Sequence, residues 1–143
     1  MSNSLTITYY FRRRKMIKIS LVILTLLFSK IALAEWSILA ENKEASAATF
    51  VDLKTIRKFG NSSEMWSAIV YLQPQNVDGK NIMSFTELDE YDCKLKKFRL
   101  LTLIGYTDKL ATGQIVGADY EVGDWMNVPT KSISEKQWNL ACK

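Results

Sequence analysis

A chain of 143 residues that is 48% hydrophobic and 24% charged has the composition of an ordinary folded protein, and its formal charge of +4 invites a nucleic-acid reading. The first 34 residues exclude that reading, because they carry Arg12, Arg13, Arg14, Lys15, Lys18 and Lys30 and no acid, leaving 13 basic residues against 15 acidic ones. The absence of histidine removes the commonest general base and transition-metal ligand, and two cysteines without an imidazole do not make a zinc site.

The leader has three parts. Arg12 to Lys18 is positive, Ile19 to Phe28 is an almost unbroken apolar run, and Ala32-Leu33-Ala34 closes it. This layout predicts a secretory signal peptide, residues 1–34, cleaved between Ala34 and Glu35. An uncleaved anchor is the alternative, but a spanning helix needs about 20 apolar residues and Lys30 interrupts this run at about half that. Met16 could serve as initiator, since Met16-Ile17-Lys18 and the apolar run form a complete signal. Arg13-Arg14 faintly resembles a twin-arginine signal, but Arg12 stands where Ser or Thr is usual, so ordinary unfolded export is expected. No cysteine borders the cleavage site, which argues against a lipid anchor there.

Residues 35–143 are then one domain of 109 residues, enough for a modest core. Export places Cys93 and Cys142 in an oxidising compartment and favours a bond between them. Two separately buried thiols are the alternative.

Along this domain, Trp36 to Leu39 reads as a short strand, Glu41 to Ala47 as a loop and Thr49 to Asp52 as a second strand. Leu53 to Arg57 reads as one helical turn, with Asp52 accepting from its free N–H groups. Gly60-Asn61-Ser62 marks a turn. Glu64 to Leu72 alternates clearly: Trp66, Ala68, Val70 and Leu72 share one face, and Met65, Ser67, Ile69 and Tyr71 the other. Both faces are partly apolar, which predicts a central strand covered on each side.

Pro74 to Asn81, with Asp78-Gly79 inside, reads as a hairpin loop, and Ile82 to Leu88 as the returning strand. Tyr91 to Leu103 reads as one long strand carrying Cys93 near its start and running on to about Tyr106, with a turn at Thr107-Asp108. Gly113, Gly117 and Gly123 then limit Gln114 to Tyr120 and Trp125 to Val128 to short strands before Pro129. Ser132-Ile133-Ser134-Glu135 fits a capping box and opens a final amphipathic helix. Trp138, Ala141 and Cys142 fall on one side of it, with Ile133 and Leu140 alongside. The fold class is α+β, an antiparallel sheet carrying one C-terminal helix.

Chemistry-bearing patterns are few. Glu87, Asp89, Glu90 and Asp92 could supply paired carboxylates for glycoside hydrolysis, but acids at a solvated strand end read first as soluble surface. They are followed at once by Lys94, Lys96, Lys97 and Arg99, a candidate patch for an anionic ligand such as a sulfated glycan. The structural reading is that the two halves flank a turn and neutralise each other across strands. Trp36, Trp66, Trp125 and Trp138 read as core rather than a ligand box, with an exposed subset on the sheet as an interaction surface the alternative. No glycine pattern cradles a phosphate, and nothing calls for a metal or another cofactor.

The arrangement resembles the surface-adhesin protein E family, small exported bacterial domains. The resemblance rests on Trp36, Phe50-Val51-Asp52 with Ile56 and Gly60-Asn61, Met65-Trp66, Pro74-Gln75 and Ser84. Asp92-Cys93, Arg99, Tyr106, Gly113, Trp125 and Cys142 complete it. It implies a curved antiparallel sheet of about six strands, a C-terminal helix on its concave face, and a Cys93–Cys142 bond holding the helix there. It also implies an adhesin-like, non-catalytic domain that engages protein or glycan ligands outside the cytoplasm, with no nucleic acid and no lasting membrane span. The family's surface lipoprotein binds host matrix and serum proteins, and this chain departs from it by lacking the lipidated cysteine. A periplasmic inhibitor or accessory protein docking on a cell-envelope enzyme is the alternative expectation.

Overall fold

The computed structural model describes residues 34–143. The leader expected over residues 1–34 therefore lies, except for Ala34, outside the described residues. Among the described residues seven strands precede a helix: β1 (Trp36–Asn42), β2 (Ala47–Phe59), β3 (Ser62–Val77), β4 (Lys80–Asp92), β5 (Lys97–Tyr106), β6 (Ile115–Asp119), β7 (Met126–Asn127) and α1 (Ile133–Cys142). β1 to β6 form an antiparallel sheet in chain order, each strand hydrogen-bonded to the next. β7 joins the free edge of β5 at Lys97 and Phe98, whereas β6 pairs with β5 from Leu103 to Tyr106. Each successive pairing from β1–β2 to β5–β6 contains a register shift, and such bulges bend strands and increase their twist.

Three elements differ from the sequence expectation. The helical turn at 53–57 is instead a bulge within β2, between Asp52 and Arg57. Asp52 does cap, its Oδ1 accepting from Lys54 N at 3.0 Å, but Thr55 Oγ1 donates to Asp52 O and accepts from Trp66 N at 3.0 Å. That cross-strand bond keeps the segment extended.

The loop expected over residues 74–81 shrinks to Asp78-Gly79, both at positive φ (52° and 78°), as a two-residue hairpin turn requires. Pro74 stays in β3 because it falls where the β3–β4 register is interrupted between Val70 and Gln75, so no ladder bond is lost.

The third difference concerns Cys93. β4 ends at Asp92, and residues 93–96 are the turn into β5. Asp92 Oδ1 accepts from Lys94 N and Leu95 N at 2.9 and 2.7 Å, and Lys96 adopts φ 54°. The side chain thus bends the backbone that the apolar and basic alternation would have kept straight.

Cys93 and Cys142 are bonded, with Cα atoms 5.4 Å apart, so the helix C-terminus is fastened to the β4–β5 turn. Ser132 caps α1, its Oγ accepting from Glu135 N at 3.0 Å. The Glu135 carboxylate reaches back to Lys131 N at 2.7 Å and takes Lys96 Nζ at 2.6 Å. Trp138 Nε1 donates to Asp92 O at 3.0 Å. Every one of these bonds lies around the same turn or the helix start, so α1 is fixed at both ends.

The core lies under α1, where Val51, Met65 and Tyr91 pack with Ala141, and Leu39, Ile56, Phe98 and Trp138 complete the cluster. Ala68 and Val70 are buried on the opposite, outer face. There the loop after β5 folds back, Ser84 Oγ donating to Asp108 O at 2.5 Å and accepting from Ala111 N at 3.2 Å. The central strand is buried on both faces at Met65, Ser67, Ala68 and Val70, whereas Ile69 and Tyr71 are half-exposed and Leu72 is exposed, so the cover its alternation predicted stops short of the strand's far end.

Candidate binding surface

The acidic and basic runs flank one hairpin. Antiparallel pairing places Glu90 opposite Arg99 and Asp92 opposite Lys97. Arg99 donates to Glu90 Oε2 through Nε at 2.8 Å and Nη2 at 2.6 Å, and its guanidinium lies 4.5 Å from the centre of the Trp125 ring. Lys96 turns the other way, to Glu135 and the face of Trp138. Lys94 is exposed in the turn, and Lys97 begins β5 beside Arg99 on the outer face. The four basic residues are therefore divided between two sides of the sheet, and two of them are committed to internal ion pairs.

The acids are not a solvated strand end. Asp89 and Glu90 are 5% and 8% exposed, because β4 is an inner strand with neighbours on both edges. Alternation along β4 sends Glu90 to Arg99 on the outer face, and sends Phe85, Glu87, Asp89 and Tyr91 to the helix face. Tyr91 Oη donates to Asp89 Oδ2 at 3.2 Å beneath the helix cluster. Opposite these residues on β3 stand Ser63, Met65, Ser67 and Ile69, paired with Tyr91, Asp89, Glu87 and Phe85. Opposite them on β5 stand Leu103 against Glu87 and Leu100 against Asp89.

This carboxylate pair is electrostatically uncompensated. The ion pairs among the described residues are Lys54–Glu35, Lys96–Glu135 and Arg99–Glu90, so none involves Glu87 or Asp89. Burial pushes the Glu87 carboxyl above the usual carboxylate range. Burial, reinforced by the charge of Glu87 and partly opposed by the Tyr91 hydrogen bond, pushes Asp89 up to about 7. Burial and Glu87 also raise the Tyr71 phenol. The Oγ atoms of Ser63 and Ser67, both fully buried, have no hydrogen-bond partner.

α1 covers only one end of this face. Ile69, Tyr71, Phe85, Glu87 and Leu103 are half-exposed beyond it, with Tyr71 and Phe85 edge-to-face at 6.3 Å. Further along, a pocket of about 230 Å³ opens between the β3–β4 hairpin and β6, lined by Ile82, Phe85, Leu103 and Val116. Gly105 makes room at its floor: a Cβ there would stand 3.1 Å from Ile82 Cδ1 and 3.2 Å from Phe85 Cε1. The face thus runs from the helix, past two carboxylates, to an apolar hollow.

Chemically, the part of this face that carries Glu87 and Asp89, called here the groove, is suited to holding a cation or a proton. Glu87 and Asp89 are same-face neighbours two residues apart on one strand. Among the described residues no group of three or more His, Cys, Asp or Glu side chains could hold a metal ion. The sequence carried one signal for this groove. Period-two alternation puts Glu87 and Asp89 on the same side as Phe85 and Tyr91, which marks a buried face rather than a solvated one.

The family model for surface-adhesin protein E matches residues 36–143. Solved structures of protein E from non-typeable Haemophilus influenzae share the fold, one at a TM-score of 0.55 and 8% identity, covering 79% of this chain and 78% of that one. A second crystal form of Haemophilus influenzae protein E superposes at a TM-score of 0.57 and 9% identity, covering 78% of this chain and 89% of that one. No curated protein matches the chain by sequence.

Proposed function

Since the chain belongs to the surface-adhesin protein E family, we propose that it is an exported, non-catalytic binding domain that engages protein or glycan ligands outside the cytoplasm. The observation that carries this reading is the extent of the family match, which takes in every strand, the helix and both cysteines. The uncompensated groove and the half-exposed aromatics beside it support recognition rather than turnover. Among the described residues no helix is long and apolar enough to cross a membrane.

Export rests on the leader pattern ending at Ala32-Leu33-Ala34, and cleavage leaves Glu35 at the N-terminus. N-terminal sequencing of the exported protein tests this, and Met1 or Met16 there would overturn it. The binding reading is tested with residues 35–143 against immobilised matrix proteins and cell-envelope extracts, alongside protease treatment of intact producing cells. Saturable capture together with protease sensitivity is the expected result. A protected pool that captures only an envelope enzyme would favour the inhibitor reading.

A further inference from the structure

The helix face, from the buried Asp89 and Ser67 at the edge of α1 to the half-exposed residues beyond it, combines three features. Glu87 and Asp89 are same-face neighbours on an unbroken stretch of β4, about 7 Å apart along the strand, and no cationic side chain among the described residues pairs with either. Ser67 stands directly opposite Glu87 on the same face, 0% exposed, with its Oγ unpartnered. A buried hydroxyl without a partner is uncommon, because the lost hydrogen bond with water is costly. Beside them, Tyr71, Phe85 and Leu103 form a half-exposed apolar wall that continues into the hollow under Gly105.

We propose that this groove is a socket for an arginine side chain of a partner protein, its guanidinium bridging Glu87 and Asp89 while its aliphatic stem lies along Phe85 and Leu103. The planar fork of five N–H donors suits two neighbouring carboxylates, and one further N–H can satisfy the Ser67 hydroxyl oxygen. An ammonium fits less well, since it is a compact, strongly hydrated charge that gives up more solvation on entering a half-buried site. Charge complementarity selects a basic partner, and the apolar wall selects one that presents its basic group on a stem. This deepens the reading of the chain as a binding domain and rests on it for the occupant being a protein.

The probe is a blocked tripeptide, acetyl-Gly-Arg-Gly-amide, titrated into residues 35–143 with side-chain carboxyl carbons followed by NMR. Its citrulline counterpart has the same shape without the charge. The expected result is saturable movement of the Glu87 and Asp89 carboxyl signals with the arginine peptide and none with citrulline. Glu87→Gln and Asp89→Asn should each weaken binding about tenfold or more, while Glu121→Gln on the exposed edge leaves it unchanged. Equal binding of the citrulline peptide, or wild-type carboxyl signals that never move, overturns the proposal without reliance on any variant.

Capture of the same matrix or envelope protein by wild type and by the Glu87→Gln/Asp89→Asn double variant would also overturn the socket, while leaving the binding-domain reading intact. Arginine binding in the groove, with no protein captured from any source, would sustain the socket and overturn that broader reading.

Discussion

Removing the Cys93–Cys142 bond should destabilise the domain by about as much as truncating a large core side chain, and the loss should appear first in α1. The bond spans 49 residues, and in the chain-entropy model closing a loop of that size restricts the unfolded chain by an amount worth about 4 kcal/mol. At about 4 °C per kcal/mol for a domain of this size, the double variant Cys93→Ser/Cys142→Ser should melt about 15 °C lower. What remains on α1 is the Trp138–Asp92 hydrogen bond, the Lys96–Glu135 ion pair and the buried Ala141. Ten residues of helix are too few to persist in water on their own. The sheet does not share that dependence, because β1 to β6 pair through continuous backbone ladders. Calorimetry of oxidised wild type and the double variant measures the first quantity, and amide exchange separates α1 from β3 and β4. A fall in melting temperature below about 3 °C would refute the loop-closure argument. Full amide protection of α1 in the variant would refute the claim that the bond holds the helix, and two free thiols in the native mass would remove the premise of both.

A buried carboxyl and a tight turn give two more expected outcomes. Asp89 is raised from an unfolded value of 3.8 to about 7, so its neutral form is favoured in the fold; its contribution is fully present below about 4 and is lost as pH rises towards 7 and beyond. Asp89→Asn, which keeps an acceptor for Tyr91 Oη, should therefore flatten the decline in stability between about pH 4 and 8 and gain on the order of 2–4 kcal/mol at pH 8, read from denaturant midpoints at each pH. A parallel decline in both proteins would rule this out. Gly113→Ala should destabilise by about 2 kcal/mol, since φ is +78° and the new Cβ would meet Thr107 Oγ1 and Asp108 N, the hydroxyl being held by its bond from Gln114 N. An unchanged melting curve would show that this loop relaxes freely.

Local chemistry made several elements legible in the sequence alone. Glu64 to Leu72 reads as a two-faced inner strand because its alternation is nearly unbroken, and it lies in β3, an inner strand of the seven-stranded sheet. Ser132 and Glu135 mark the helix start because capping is a contact between residues three apart. Asp78-Gly79 marks its hairpin because few residue pairs tolerate positive φ twice in succession. The absence of histidine rules out imidazole chemistry whatever the fold, since no packing can supply a side chain that the chain lacks.

Other features were decided only by distant partners. Asp52 and Thr55 could begin a helical turn as readily as a bulge, and the bond from Trp66 N, eleven residues away, selects the bulge. Cys93 lies in a turn because Asp92 folds over its own following amides more favourably than the strand can continue. The side of β4 that receives α1 is fixed by the disulfide to that turn and by the packing of Ala141 over Met65 and Tyr91. That choice places Glu87 and Asp89 on a buried face and gives Glu90 to Arg99. Four acids within six residues look alike in sequence, since burial and pairing belong to the neighbours that tertiary structure brings, not to the chain that carries them.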